Sequence, residues 1–140
     1  SLGLPTAQGL LLTNAFYWDL NDGTRAWAKR FAAGHGGSYP TQIQAGVYAA
    51  IVHYLKAVQA ADSDDGLTAV NKMKEMPTDD PLFGKGKVRI DGRTIHPAYL
   101  FEVKKPSESK GAWDYYKLLA TIPADQAFRP LNEGGCKLVK

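Results

Sequence analysis

The side chains able to do chemistry are few and dispersed. His35, His53 and His96 are widely spaced, and Cys136 is the single cysteine. A metal centre needs several ligands at short, recurring spacings, and these residues offer none. His53 is expected on the polar side of its helix. No metal ion and no cofactor is expected. Gly34-His-Gly-Gly-Ser38 has the composition of an oxyanion-hole loop, yet no Gly-x-Ser-x-Gly elbow accompanies it. A helix C-cap followed by a loop is the better reading. Gly84-Lys-Gly-Lys87 lacks the Gly-x-x-x-x-Gly-Lys-Ser/Thr spacing that cradles phosphates, and reads as a solvated turn entering a strand. Asp91 and Glu102 fall in a turn and a strand, with no apolar pocket evident to raise a carboxyl pKa. Nucleophile, base and paired acids are all missing, so binding is expected rather than catalysis.

Two stretches have the composition of a binding wall. Phe16, Tyr17 and Trp18 are adjacent aromatics that offer large, rigid, apolar surfaces to a ligand, although three neighbours cannot all face one way. The second stretch is Thr41 to Ala60. Pro40 opens it, Gln42, Ile43, Gln44 and Ala45 fit a brief extended segment, and Gly46 permits a sharp turn. From Tyr48 the period changes, and Tyr48, Ile51, Val52, Leu55 and Val58 fall on one face of a helix of about four turns. A strand passing through glycine into a helix leaves free backbone N–H groups where a carboxylate could be held.

Size and composition bound the remaining possibilities. The chain has 140 residues, an ordinary globular composition and a formal charge of +3, too small and dispersed to imply a polyanion partner. No apolar run approaches the roughly 20 residues of a membrane span, and no signal peptide is visible. The chain starts at Ser1 without an initiator Met, which reads as a processed chain or a fragment. One cysteine cannot form an internal disulfide and leaves the redox compartment open.

The expected elements alternate. After a ragged end over residues 1–5, Gly9 to Thr13 is an apolar run suited to a parallel strand covered on both faces. A helix is predicted from about Asp22 to Ala33, N-capped by Asn21 or Asp19, ended by Gly34, with Thr24, Trp27 and Phe31 inward. Asp62 to Asp65 caps a third helix with Leu67, Val70, Met73 and Met76 as its buried stripe, and Pro77 stops it. Asp91-Gly92 is a hairpin turn, Tyr99 to Val103 the returning strand, and Asp114 to Ile122 a last strand. The tail from Pro123 is expected to be irregular. The order argues for an α/β layer architecture with too few strands to cover its own faces, as in part of a larger protein.

Four segments in register resemble one family: Gly9 to Trp18, Gln44 to Ala50, Phe83 to Gly92 and His96 to Val103. The chain resembles the C-terminal portion of periplasmic substrate-binding proteins of ABC transporters, of the branched-chain amino-acid-binding, leucine-binding-protein-like type. Tyr115 to Pro130 is similar to the Tyr-Tyr-Lys…Ile-Pro-Ala-Asp…Phe-Arg-Pro tail of a soil-bacterial subgroup. The resemblance implies a partial type I periplasmic-binding-protein fold, α/β in class, in which a C-terminal fragment contributes strands and helices to two lobes. Residues 1–18 would end a second-lobe strand and cross over, 19–76 would be a first-lobe segment, and 77–140 would cross back through hairpin strands to the tail. It further implies that Tyr48, Gln44 and Ile43 face ligand at the cleft, with Tyr17, Trp18 and Phe16 at the crossover. Core packing is the competing role for each, and alternation puts only one of Ile43 and Gln44 on the cleft side. The implied partners are a small carboxylate-bearing solute, a membrane permease, and either the N-terminal part of the same protein or a second copy. The implied compartment is the periplasm, with no enzymatic activity. Two other functions fit the sequence: a ligand-sensing receptor domain of the same fold, or a nucleic-acid-binding module using Lys85, Lys87, Arg89 and Arg93. Against the second, the aromatics are not interleaved with those basic residues, and no nucleic acid is expected.

Overall fold

The computed structural model describes residues 2–139, so that Ser1 and Lys140 lie outside the described residues. In place of a ragged end, Leu4–Ala7 forms a short helix, α1, with a proline in its first turn. The strand β1 (Leu11–Asn14) follows. Helix α2 (Asp22–Ala33) has the predicted ends. Thr24 N–H donates to Asn21 Oδ1 and Asn21 N–H to Thr24 Oγ1, both at 3.0 Å, and Gly34 is the C-cap. Thr24 and Trp27 are buried and Phe31 half-buried, the inward face expected from the spacing.

The next element departs from expectation. Gln42 to Ala45 is not a strand. It is the first turn of α3 (Gln42–Ala61), which runs unbroken through Gly46. Ile43 N–H donates to Thr41 Oγ1 at 3.2 Å and Thr41 N–H to Gln44 Oε1 at 2.9 Å. This reciprocal pair satisfies two backbone donors that a helix start otherwise leaves free, and so nucleates the helix six residues earlier than the apolar period suggests. The helix is also rotated from the expected stripe. Ala45, His53 and Ala57 are buried, whereas Ile51 and Leu55 are exposed. His53, expected on the polar side, faces inward with Nε2 2.9 Å from the Met73 carbonyl oxygen; a carbonyl only accepts, so Nε2 carries the proton.

Asp65 caps α4 (Gly66–Glu75) as predicted, accepting from the Thr68 amide at 2.9 Å, and Pro77 follows the helix. Its expected stripe is corrected too. Leu67 and Val70 are exposed, Met73 and Met76 are half-buried, and Ala69 is the buried residue. Ala57 and Ala69 lose all solvent contact where α3 and α4 pack together; small side chains allow that approach more readily than the larger ones expected there.

The strands form two three-stranded sheets, ordered β1-β5-β6 and β2-β3-β4. Every pairing is antiparallel, so the parallel strand expected at residues 9–13 is instead an antiparallel edge strand. Thr13 opposes Leu100 of β5 (Ala98–Val103), and β5 in turn pairs with β6 (Tyr116–Ile122). Leu10 and Leu11 are consequently exposed rather than covered on both faces. In the second sheet, β2 (Pro77–Asp80) and β4 (Thr94–Ile95) flank β3 (Gly84–Val88). The Asp91-Gly92 turn joins β3 to β4, with Gly92 at φ 84°. Tyr99 to Val103 is a strand as expected, but the partner returning along β3 is β4, not β5. A Cβ on Gly86 would lie 2.2 Å from the Ile95 carbonyl oxygen, so this position admits no side chain. The last strand and the irregular tail match expectation, the described residues of the tail holding a 3₁₀ turn at Leu131–Glu133.

Phe16, Trp27, Ala45 and Leu82 form a buried cluster beside α2 and α3, with Trp18, Phe31, Tyr48 and Phe83 against it, while Phe101 and Val103 are buried in the other sheet. Helices α2, α3 and α4 with the second sheet make one unit, and β1, β5 and β6, led into by α1, another. Broad packing falls within each unit, and the chain passes between them at residues 15–21 and again at His96-Pro97.

Candidate functional site

The start of α3 divides two concave surfaces. On one side is an open cleft of about 930 Å³ bordered by Asn14, Ala15, Gln42, Ile43, Arg93 and Arg129. On the other, Ile43, Gln44, Val47 and Tyr48 form a shallow groove with Trp27, Arg30 and Phe31. Ile43 and Val47 border both, because successive turns of one helix face expose them side by side.

The cleft is basic. Arg89 Nη2 meets Asp91 Oδ2 at 2.6 Å, and Arg89 Nη1 donates to the Arg129 carbonyl oxygen at 3.0 Å. The Arg89 hydrogen bond holds the Asp91 carboxyl below the usual carboxylate range, so Asp91 and Arg89 neutralise each other. Arg93 lies over the Phe128 ring at 5.5 Å, and neither Arg93 nor Arg129 has a carboxylate partner among the described residues. His96 donates from Nδ1 to the Pro97 carbonyl at 2.9 Å and packs edge-on against Phe128.

The six residues singled out from sequence separate into two groups. Ile43 is 72% exposed at the cleft; Gln44 and Tyr48 line the groove. Gln44 is partly committed, since its Oε1 caps Thr41. The Tyr48 ring packs against Trp27 at 5.3 Å, and its hydroxyl lies 3.4 Å from Arg30 Nη2. Phe16 is 1% exposed and belongs to the core. Tyr17 is buried, and its hydroxyl donates to the Trp113 carbonyl at 3.0 Å while accepting from the Tyr115 and Tyr116 amides. Trp18 is half-buried and donates from Nε1 to the same carbonyl at 2.7 Å. The aromatic triplet therefore packs at the crossing between the units and does not line either concavity.

Several residues at this junction escape sequence reasoning. Gln42 Oε1 accepts the Ala15 amide at 2.7 Å and ties the crossing to α3; Trp113 accepts two hydrogen bonds on its backbone. Neither has a local signature. Thr41-Gln-Ile-Gln44 does have one, the capping-box pattern, which identifies the true helix start. No group of three or more His, Cys, Asp or Glu able to hold a metal occurs among the described residues. No described helix is long and apolar enough to cross a membrane.

A helix start beside an open basic cleft, at the junction of two units, is an arrangement suited to binding a small solute. The chain belongs to the periplasmic binding protein family, whose sequence profile matches residues 1–112. Its fold is part of the type I periplasmic-binding-protein fold. A periplasmic binding protein from Burkholderia mallei is 49% identical, with a TM-score of 0.94 over 99% of this chain and 36% of that one. A branched-chain amino acid ABC transporter periplasmic ligand-binding protein from Burkholderia xenovorans is 44% identical, with a TM-score of 0.93 over 99% of this chain and 37% of that one. An amino acid ABC transporter substrate-binding protein from Pseudomonas fluorescens shares the fold at 23% identity, with a TM-score of 0.82 over 96% of this chain and 35% of that one. This chain thus spans about a third of the length of the relatives it matches. No curated protein matches it. The family comprises solute-binding proteins rather than enzymes.

Proposed function

We propose that the chain is part of the solute-binding component of an ABC importer, capturing a small carboxylate-bearing solute in the periplasm and presenting it to a membrane permease. The solute is a branched-chain or aromatic amino acid or a related acid. The two units are the parts this chain contributes to two lobes, and residues near the crossings form the hinge. Ile43 supplies one wall of the solute site; Gln44 and Tyr48 face the neighbouring groove, and Tyr17 and Trp18 pack at the hinge.

The observation supporting this reading is the charge of the cleft beside α3. Arg93 and Arg129 border it without carboxylate partners among the described residues, while Ile43 and Val47 present apolar surface to the same space. A carboxylate with an apolar side group complements both features. The branched-chain amino acid named for the Burkholderia xenovorans relative has that chemistry.

Thermal unfolding of the full-length protein with L-leucine, L-phenylalanine and benzoate tests the proposal. A bound solute at a hundredfold excess over its Kd stabilises the native state by about 2.7 kcal/mol, a readily measured rise in Tm. Arg93→Gln should weaken the stabilising solute roughly tenfold, the loss of one charge-assisted hydrogen bond. Absence of stabilisation by all three solutes would overturn the assignment.

A further inference from the structure

Trp113 holds φ at +70°, a left-handed conformation that a bulky side chain rarely adopts. That conformation places its carbonyl oxygen where Tyr17 Oη and Trp18 Nε1 both donate to it, at 3.0 and 2.7 Å. Its ring lies nearly parallel to Tyr39, at 6.4 Å and 17°. Tyr39 in turn meets the Trp18 ring edge-on at 4.6 Å. The three rings come from three different places. Trp113 lies in the β5–β6 connection of the sheet unit, Tyr39 in the α2–α3 loop of the helical unit, and Trp18 in the crossing between them.

Two units joined by two crossings are free to change their mutual angle unless something spans the junction. The tail after β6 reaches back across it through the Arg89–Arg129 hydrogen bond and the Arg93–Phe128 contact; a second spanning contact is aromatic and is seated on a left-handed backbone, which fixes ring and carbonyl together. We propose that Trp113 is a positioning residue: through Trp18 and Tyr39 it latches the angle between the units and so sets how readily they close on solute. The effect on affinity rests on the solute-binding reading above; the effect on the junction does not.

Hydrogen exchange of the full-length protein tests the latch. Tyr39→Ala removes the ring that reaches across while leaving both hydrogen bonds to the Trp113 carbonyl in place. Trp113→Gly removes the other ring and retains easy access to positive φ. In both variants, exchange over residues 14–18, where the Ala15 amide is held by Gln42 Oε1, should quicken roughly tenfold. Protection within α3 and the β5–β6 ladder should stay as in the parent, and Tyr39→Phe, which keeps the ring, should restore the slow exchange. Unchanged exchange at residues 14–18, or loss of protection throughout the molecule in both variants, would overturn the latch. The solute that stabilises the parent should bind Tyr39→Ala with a Kd shifted roughly threefold or more; an unchanged Kd beside quickened exchange would overturn the positioning role. If leucine, phenylalanine and benzoate all fail to stabilise the parent, the solute reading falls while the exchange result still decides the latch.

Discussion

The Trp18 indole donates to the Trp113 carbonyl oxygen at 2.7 Å, joining residues 95 positions apart. Tyr17 donates to the same oxygen, so adjacent aromatics fill both lone pairs of one carbonyl. The junction between the units is thus held by backbone and side chain together.

Tyr17→Phe should destabilise the protein by about 1–3 kcal/mol, because the hydroxyl serves the Trp113 carbonyl and the Tyr115 and Tyr116 amides in a buried place. Urea unfolding should show a lower midpoint with an unchanged m-value. Burial also raises the Tyr17 phenol pKa above its ordinary value. A raised folded pKa gives stability that is complete below the unfolded value near 10 and is lost as pH rises through the folded one. The alkaline decline should therefore be shallower in Tyr17→Phe than in the parent.

Asp114 carries the opposite sign. Burial opposes its ionisation, but the Lys104 ammonium and the Lys110 amide together outweigh burial and hold its carboxyl below the usual range. Its contribution is present above the unfolded value near 4 and is lost as pH falls through the lower folded value. The two side chains are mostly covered, so Asp114→Asn, which keeps an acceptor oxygen but removes the charge facing Lys104, should cost about 1–3 kcal/mol at neutral pH. The variant should also lose less stability than the parent on acidification, as measured by chemical unfolding between pH 6 and about pH 2.

Gly86 and Gly92 should separate in an alanine comparison. Gly86→Ala drives a Cβ onto the Ile95 carbonyl and must spread β3 from β4, costing about 1–3 kcal/mol or more. Gly92→Ala meets open space, and its penalty is the left-handed backbone, about 1–2 kcal/mol. Exchange of the β3–β4 amides should quicken more in the first.

Phe16 and Ile43 should divide core from site. Phe16→Ala empties a fully buried position and should cost about 3–5 kcal/mol. Ile43→Ser, at an exposed position, should change stability by no more than about 0.5 kcal/mol while weakening solute binding in the full-length protein. Paired thermal and binding titrations read both effects.

The features legible in sequence are those whose cause lies within a few residues. Asn21 with Thr24, Gly34, Asp65, Pro77 and Asp91-Gly92 bound their elements because each satisfies or removes a local backbone hydrogen bond, or supplies the φ a turn requires. The four-segment resemblance likewise pointed to the family that the profile match shows. Where two local signals competed, the alternation of Gln42 to Ala45 suggested a strand and the Thr41–Gln44 capping box made a helix. Tertiary structure alone decided the rest: that β1 pairs antiparallel with a strand nearly ninety positions away, that α3 turns His53 inward and Ile51 out, and that Trp113 bends into a left-handed conformation. Register, helix rotation and backbone strain depend on which distant surfaces meet. No window of neighbouring residues contains that information, because the free energy that settles each choice is released only when those surfaces come together.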